Sequence, residues 1–381
     1  MNSIIIYLFS TALSFSQPLT PTFSNVDYVG NNHRDQKMDI YVPPGLTSPA
    51  PVIVFIHGGG WSSGSKGPEN VPYFNQSYES GFICADINYR LSTDSVWPAQ
   101  IEDCKTAIRF LRANAKTYNI DICRFGVIGE SAGGHLAAML GTSAGVKEFE
   151  GLHQGNTNQS SRVQAVIDIF GPTDFLKEDS HYPASCGLSR LIHEYQSFET
   201  ALLGIDYLHN HQELVRTADP MTYITSDDAP FFIIHGDEDC IVPFHQSILL
   251  DSALSAAGMP ADTLIIAVGQ NHGNPYFKDV VRTALYNNFF LKYLSVPCPP
   301  IGINDSVFQN ISVFPNPATS EIKIDFPYSG NFTLELVNTY GRTVLKVQNQ
   351  AGISISGLKT GIYFLKVISE NGTHTQKIIK L

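Results

Sequence analysis

Residues 125–136 read FGVIGESAGGHL and are followed by AAML, so an apolar run, a Gly-rich turn and an apolar helical pattern stand in succession. This order predicts a strand, a tight turn and a helix, with Ser131 at the tip of the turn. Gly129 and Gly133 stand two residues before and after the serine, where a larger side chain would meet the crowded backbone of such a turn. The positive end of the helix dipole would face Ser131. We therefore treat Ser131 as a candidate nucleophile.

A second glycine motif, HGGGW at residues 57–61, directly follows the apolar run PVIVFI. A glycine run leaves bare backbone N–H groups that can face a ligand, as an oxyanion hole requires. We expect its donors to be the backbone amides of Gly59 and Gly60, joined by that of Ala132 after the candidate nucleophile. The alternatives are a flexible turn or a phosphate loop, but the Gly-Lys-Ser/Thr sequence of a phosphate loop is missing here.

Acidic residues and a histidine follow two further predicted strands. The motif HGDEDCIVP at residues 235–243 ends the run PFFII, which places Asp237, Glu238 and Asp239 at the carboxyl edge of a sheet. Their position alone does not choose among these three acids. His272 follows the run TLIIAV in a Gly-rich loop. The chain order serine, acid, histidine is the order of the α/β-hydrolases.

Other histidines and both tryptophans are weaker candidates. Three histidines near the motifs are expected to be structural: His57, His135 and His235. His245 lies on the same loop as the acids, and a base there would not reach across to Ser131. Trp61 and Trp97 could line a substrate pocket, although a large aromatic side chain close to a core is more often packing.

Between about residues 28 and 294 the chain alternates short apolar runs with longer amphipathic stretches, which predicts an α/β domain with a mostly parallel sheet. The apolar runs predict six strands: Val52–Ile56, Phe82–Ile87, Phe125–Ile128, Val163–Phe170, Phe231–Ile234 and Leu264–Val268. Helical patterns cover Pro98–Lys116 and Ser247–Ala257.

The composition limits the function classes. The chain has 381 residues, 43% of them hydrophobic, which fits a folded protein of about two domains. A net charge of −11 offers no cationic field for phosphates, so we exclude nucleic-acid binding. No pair of the six cysteines has C-x-x-C spacing, so we expect no metal site and structural cysteines whose 15 pairings the spacing leaves open.

The two ends of the chain differ in pattern from the middle. Residues 1–16 are predicted to be a signal peptide because the apolar stretch Ile4–Phe15 is too short to span a bilayer; the alternative is a buried first strand. A Pro-rich linker is predicted at residues 297–306. Residues 307–381 contain only alternating strands separated by Asn and Gly turns, which predicts a small all-β sandwich.

These motifs carry a resemblance to two known families. Residues 28–294 resemble secreted α/β-hydrolases of the esterase/lipase superfamily, and within it the acetyl-xylan and feruloyl esterases, through HGGGW, GESAGGH, HGDEDCIVP, QKMDIYVP, NYRLS and WPAQIEDCKTAIRFL. The family pattern H-G-x-x-D-x-x-V-P selects Asp239 as the acid. Residues 307–381 resemble the C-terminal sorting domain read by the type IX secretion system of Bacteroidota, through VFPNPATSEI, GIYFLKV and KIIKL.

The resemblance implies an α/β-hydrolase catalytic domain over residues 24–296 with a catalytic triad of Ser131, Asp239 and His272. It implies a serine esterase that uses no metal or organic cofactor and acts on acetyl or feruloyl esters of plant polysaccharide. The oxyanion hole would then be formed by Gly59, Gly60 and Ala132. Two alternatives stay open: a serine peptidase or amidase such as an arylformamidase, and a catalytically silent carbohydrate-binding or adhesion protein.

Export of the protein, to the medium or the cell surface without a transmembrane segment, is expected from both ends of the chain. The tail, residues 307–381, would engage the secretion machinery and be removed or replaced; the alternative is that it is an accessory carbohydrate-binding or immunoglobulin-like module.

Export permits disulfides, and we hypothesise one between Cys186 and Cys240, beside the acid. Residues 176–195 contain no motif that indicates substrate choice, and they would form a short lid or cover the surface.

Overall fold

The computed structural model describes residues 19–182, 186–187, 193–259, 261–295, 312–325, 331–338, 343–369 and 372–381. The chain divides into two compact units between residues 297 and 298. The predicted signal peptide, residues 1–16, and the predicted linker, residues 297–306, lie outside the described residues.

The first unit is built on one eight-stranded sheet with the strand order β1-β2-β4-β3-β5-β6-β7-β8. All neighbours from β4 to β8 are parallel, whereas β1 and β2 run antiparallel at one edge. The strands are β1 Phe23–Asp27, β2 Lys37–Tyr41, β3 Ala50–Ile56, β4 Ile83–Ile87, β5 Ile120–Glu130, β6 Ala165–Ile169, β7 Phe231–Gly236 and β8 Thr263–Ala267.

Helices cover both faces of this sheet. They are α1 Val71–Glu79, α2 Ala99–Ala113, α3 Ala115–Tyr118, α4 Ala132–Thr142, α5 Phe198–Leu203, α6 Gln212–Thr217, α7 His245–Ala256 and α8 Val280–Leu294. Within the described part of the chain, no helix has both the length and the apolar character needed to cross a membrane.

The first unit has two hydrophobic clusters, one on each face of the sheet, because successive side chains of a strand point to opposite faces. In β3, Val54 and Ile56 join the cluster that contains Leu136 of α4, whereas Ile53 and Phe55 join the cluster packed against α1 and α8. A strand that is buried on both faces must be apolar throughout, and β3 is. The first unit therefore has the three layers of an α/β-hydrolase.

The predicted parallel sheet is confirmed, with differences at its edges and ends. All six predicted strands are present, but β1 and β2 add an antiparallel edge that the sequence patterns did not predict. The predicted helix Pro98–Lys116 is divided, because α2 ends at Ala113 and the backbone N–H of Asn114 bonds the carbonyls of the last turn. A second short helix, α3, then continues to Tyr118.

The second unit is a sandwich of two antiparallel sheets, as predicted. A three-stranded sheet has the order β13-β10-β9 and a four-stranded sheet the order β12-β11-β14-β15. Their strands are β9 Ser312–Phe314, β10 Glu321–Asp325, β11 Phe332–Asn338, β12 Thr343–Gln348, β13 Gly352–Ser354, β14 Gly361–Ser369 and β15 Gly372–Lys380. Alternate residues of the two sheets form one shared core, with Ile322 and Ile324 from one sheet and Leu334, Leu336 and Leu365 from the other.

Candidate active site

The turn after β5 holds Ser131 in a strained conformation. Strand β5 ends one residue before the serine and α4 begins one residue after it, and Ser131 has φ 55° and ψ −123°. Its neighbours leave no room for side chains: a Cβ on Gly129 would lie 2.1 Å from the carbonyl oxygen of Gly133, and one on Gly133 would lie 2.0 Å from that of Ile56. The two glycines of the motif are thus required by close backbone approach.

Two hydrogen bonds connect the serine to an acid through one histidine. Nε2 of His272 lies 2.9 Å from Oγ of Ser131, and Nδ1 lies 2.7 Å from Oδ2 of Asp239. The three side chains come from the carboxyl ends of β5, β7 and β8, which meet at one edge of the sheet. The structure therefore brings together Ser131, Asp239 and His272, which the sequence predicts to be a triad.

The carboxylate of Asp239 is fully buried, and both of its oxygens have polar partners. Its Oδ1 accepts hydrogen bonds from the backbone N–H groups of Ile241 (2.8 Å) and Val242 (2.9 Å), and its Oδ2 also lies 3.2 Å from Nε2 of His235. Burial opposes ionisation, but the contacts with His235 and His272 outweigh it and hold the pKa of Asp239 well below its usual value. Asp239 is therefore ionised at neutral pH.

The other two acids of the motif have different surroundings. Oδ1 of Asp237 accepts a hydrogen bond from the backbone N–H of Gly269 at 2.7 Å, so this side chain ties the acid loop to the histidine loop. Glu238 is exposed. Of the three candidates, Asp239 is the one that contacts His272.

Backbone amides converge beside the serine. Gly59, Gly60 and Ala132 line the same cavity as Ser131, and among the described residues none accepts a hydrogen bond from their backbone N–H groups. A Cβ on Gly60 would lie 2.4 Å from Cδ1 of Phe198. The glycine loop thus leaves free donors next to the serine oxygen, the arrangement that an oxyanion hole requires.

The remaining histidines pack against the framework of the site. His57 stacks on Tyr89 with ring centroids 4.4 Å apart, and His135 accepts the indole N–H of Trp61 at 3.2 Å. Burial lowers the pKa of both histidines to about 4. His245 contacts the rings of His181 and Phe244, and no hydrogen bond joins it to the triad among the residues that the structure describes.

The cavity in front of Ser131 has a volume of about 360 Å³ and mostly apolar walls. Trp61 lines it, whereas Trp97 does not: the Trp97 indole N–H bonds Oγ1 of Thr217 at 3.0 Å. The larger side chains of the wall are Trp61, Glu130, Phe170, His193, Phe198, Glu199, Ile241 and Val242. The cavity therefore accommodates a small or flat apolar group next to the serine.

The hypothesised disulfide is confirmed. Cys186 and Cys240 are bonded, with their Cα atoms 5.5 Å apart. A second contact acts on the same loop, because the hydroxyl of Tyr182 donates a hydrogen bond to the carbonyl of Ile241 at 2.7 Å. The segment before α5 is thus fastened at Cys240 and at Ile241, next to Asp239. Cys84 and Cys104 are free and buried.

One cluster at the cavity wall is missed by the sequence analysis, which expected no metal site. The side chains of Glu178, His193 and Glu199 are buried together, and His193 and Glu199 also line the cavity. The three residues lie in or beside the segment 176–195, where no motif or periodicity gives a signal that would have found them.

Comparison with known proteins gives a family match for each of the two units. The sequence model of the BD-FAE family matches residues 38–254, and the model of a secretion system C-terminal sorting domain matches residues 312–381. Esterase LipC of Mycobacterium tuberculosis is 31% identical over 228 residues, which are 60% of this chain and 54% of LipC. The chain spans about half the length of the curated relatives that it matches, such as LipC.

Solved structures with a similar fold include the following two proteins. A truncated carbohydrate esterase from gut microbiota is 31% identical, with a TM-score of 0.66 and coverage of 74% of this chain and 99% of that one. A bifunctional GH43-CE protein of Bacteroides eggerthii is 33% identical, with a TM-score of 0.65 and coverage of 71% of this chain and 35% of that one.

The tail and the larger unit therefore have separate assignments. The match of residues 312–381 with a sorting domain indicates export, to the cell surface or beyond it. The BD-FAE model matches more than half of the chain, and the chain covers nearly all of a carbohydrate esterase to which it is 31% identical. On these grounds the chain belongs to the BD-FAE family of α/β-hydrolases.

Proposed function

We propose that this protein is a secreted serine carboxylic-ester hydrolase that removes acetyl or feruloyl groups from plant polysaccharide. The observation that carries the proposal is the hydrogen-bonded series Ser131, His272 and Asp239, which opens on a cavity lined by free backbone amides. This combination supplies a nucleophile, a base, a group that orients the base and donors for a developing negative charge.

In the first half of the proposed reaction, Oγ of Ser131 attacks the ester carbonyl while Nε2 of His272 takes the hydroxyl proton. The ionised carboxylate of Asp239 holds the proton on Nδ1, so Nε2 is free to accept. The tetrahedral intermediate then collapses, and His272 returns the proton to the departing sugar oxygen. An acyl group is left on Ser131.

In the second half, a water molecule gives a proton to His272 and attacks the acyl carbonyl, which releases the carboxylic acid and restores the serine. The backbone N–H groups of Gly59, Gly60 and Ala132 are proposed to stabilise the oxyanion in both halves. Loss of one donor of this kind typically raises the barrier by about 2.7–4 kcal/mol. Every step uses groups of this chain and water.

The cavity wall supports an acyl group as the buried part of the substrate. Trp61, Phe170 and Val242 give it apolar and aromatic surface next to Ser131, which suits a methyl or a flat aromatic acyl group. The residues that line the cavity in the described structure include no lysine or arginine, so it offers no cation of this kind to an acidic substrate.

Exposed aromatic side chains in α5 and in the residues that flank it support a sugar polymer as the outer part of the substrate. Tyr195 and Tyr207 stack on each other with ring centroids 4.8 Å apart, and both are exposed to solvent. Phe198, which lines the cavity, is also 50% exposed. Aromatic faces of this kind provide rigid apolar surface with a polar edge, which suits the faces of sugar rings.

The related structures support the same substrate class, since one is described as a carbohydrate esterase and the other as a bifunctional GH43-CE protein. We also propose that the sorting domain is removed or replaced during export. The intact mass of the secreted protein tests this point, because a mass that still includes residues 307–381 contradicts it.

The test of the proposed function is a comparison of substrates. Purified wild type is assayed with p-nitrophenyl acetate, methyl ferulate, acetylated xylan and an N-aryl formamide, beside Ser131→Ala and the exposed-serine control Ser252→Ala. We expect release of acetate from xylan or of ferulate, loss of that activity in Ser131→Ala, and full activity in the control.

The other outcomes separate the alternatives. Cleavage of the formamide with no cleavage of any ester assigns the site to an amidase. No activity on any substrate, with a protein that is folded by circular dichroism, contradicts the enzyme and favours a silent binding protein. Activity on p-nitrophenyl acetate alone keeps the serine esterase and rejects the polysaccharide substrate.

A further inference from the structure

Glu178, His193 and Glu199 form a buried charged cluster outside the triad. Their exposed fractions are 0%, 5% and 3%, and one ligand-capable atom from each lies within 4.8 Å of the other two. Glu178 belongs to the segment before the disulfide, His193 lies after it, and Glu199 is in the first turn of α5. Three separate stretches of chain therefore converge on one point.

Hydrogen bonds decide which nitrogen of His193 carries a proton. The hydroxyl of Tyr182 donates its only proton to the carbonyl of Ile241 at 2.7 Å. Its oxygen also contacts Nε2 of His193, and must accept in that contact. Nε2 of His193 therefore carries a proton, and Nδ1 points to the two glutamates.

Nδ1 of His193 then faces two carboxylates, and one proton on this nitrogen would neutralise only one of their two negative charges. It lies 2.9 Å from Oε2 of Glu178 and 2.8 Å from Oε2 of Glu199. Neither contact has the direction of a good hydrogen bond, and both oxygens of Glu178 lack a hydrogen-bond partner among the described residues. The backbone N–H of His193 also donates a hydrogen bond to a third acid, Asp179. Buried carboxylates in this state are costly unless a cation or a proton compensates them.

We propose that this cluster binds a divalent cation of the zinc type, through Nδ1 of His193 and one carboxylate oxygen each of Glu178 and Glu199. Imidazole nitrogens and carboxylate oxygens are both ligands that zinc takes in proteins, and a site with three protein ligands leaves the fourth position to water. The hydrogen bond from Nε2 to Tyr182 would orient the imidazole, as outer partners of metal-bound histidines do.

The geometry requires a small adjustment. Zinc ligands at roughly 2.0–2.1 Å in a tetrahedron lie roughly 3.3 Å from one another. The contacts of 2.8 and 2.9 Å around Nδ1 would each open by about half an ångström, which relieves the close approach of the lone pair and the carboxylates. The cation would then fasten α5 to the segment before the disulfide, and so fix the cavity wall that His193 and Glu199 form.

The rival arrangement has no metal. Burial raises the pKa of Glu178 to about 8. Burial opposes a charge on His193, but the two glutamates outweigh it and raise the pKa of His193 to about 11, so protons on these two side chains would compensate the cluster instead. The two arrangements differ in composition, and metal content therefore separates them without any assay of ester hydrolysis. The proposal is independent of the proposed enzymatic function.

The experiment uses the full chain, stripped with a chelator, dialysed into metal-free buffer and titrated with Zn²⁺ by calorimetry. We expect wild type to bind one Zn²⁺ more than Glu178→Gln and Glu199→Gln, with affinity at that site reduced at least 100-fold in both variants. The number of Zn²⁺ ions bound by each variant is subtracted from that of wild type, because other pairs such as His209 with Glu194 also offer ligands to the metal. Melting temperature of the wild type should rise with Zn²⁺.

Glu213→Gln makes the same chemical change at an exposed position of α6 and should bind as much Zn²⁺ as wild type. Ser131→Ala should also keep the site. If Glu178→Gln does not fold, Glu199→Gln decides alone. Equal Zn²⁺ stoichiometry and affinity in wild type and the folded variants overturn the proposal and assign the cluster to protonated side chains.

Discussion

Asp239 and His272 are joined by a 2.7 Å contact in which only one oxygen of the carboxylate takes part. The other oxygen, Oδ1, accepts two backbone N–H groups, those of Ile241 and Val242. The loop backbone therefore orients the acid, and the acid in turn orients the imidazole toward Ser131. This division of the two oxygens makes a sharp prediction about an amide at the same position.

In Asp239→Asn, we expect kcat for ester hydrolysis to fall roughly 10⁴-fold, as for this exchange in related triads. The amide oxygen must stay at the Oδ1 position to accept the two backbone N–H groups, so the NH₂ group faces Nδ1 of His272. The imidazole then carries its proton on Nε2 and cannot accept one from Ser131. Asp237→Asn, which changes the neighbouring acid of the loop, should keep most of the activity. Comparable losses in the two variants would contradict the assignment.

The glycine loop gives a second prediction. Gly60 has φ +57°, and a Cβ there would overlap the ring of Phe198. We expect Gly60→Ala to lower kcat by about 10²–10³, because the ring displaces the loop amides from the oxyanion. Phe198→Ala alone should keep kcat, and the double variant should recover part of the loss. Steady-state kinetics on p-nitrophenyl acetate measures all three, and an unchanged kcat in Gly60→Ala sinks the assignment of the oxyanion hole.

The disulfide predicts a specific pattern of stability. Cys186→Ser and Cys240→Ser each remove the same bond, so each should lower the free energy of unfolding by about 2–4 kcal/mol, and the double variant by no more than either single one. We also expect kcat to fall, because Cys240 adjoins Asp239. Urea unfolding measures the free energies. Losses that add in the double variant would show that the two cysteines act separately.

Asp219 predicts a pH dependence of stability. Burial raises its pKa to about 8, with Asp174 adding to the effect. An acid whose pKa is higher in the folded state contributes stability that is present at low pH and is lost as the pH rises through about 8. Relative to Asp219→Asn, wild type should therefore lose more than about 1.4 kcal/mol between pH 5 and pH 9 in urea unfolding, which is the value of one pKa unit. A difference that stays constant with pH rules this out.

Much of the site was accessible from the sequence because each of its motifs directly follows a strand. Ser131, the acidic triplet and His272 stand just past the ends of β5, β7 and β8, and parallel strands bring such ends to one edge. The choice of Asp239 needed the family pattern. Its physical reason appears only in the structure, where Asp237 is committed to the backbone of Gly269.

The features that the sequence did not reveal depend on contacts between distant parts of the chain. Strand β1 lies at the edge of the sheet and β2 lies between β1 and β4, and their five-residue runs carry little periodic signal. Glu178, His193 and Glu199 converge through tertiary packing and a disulfide, so no spacing along the chain reveals them. Trp61 and Trp97 are both candidates for the pocket wall from the sequence, yet only Trp61 lines the cavity among the described residues.

The central claim is that Ser131 is the nucleophile of this site, and covalent labelling tests it most directly. The protein is incubated with a p-nitrophenyl alkylphosphonate, and intact mass, peptide mapping and released p-nitrophenolate are measured together. We expect one phosphonyl group per chain on the peptide that contains Ser131, one equivalent of p-nitrophenolate, slow labelling in Asp239→Asn and none in Ser131→Ala. Labelling of another residue, or equal labelling of Ser131→Ala, would contradict it.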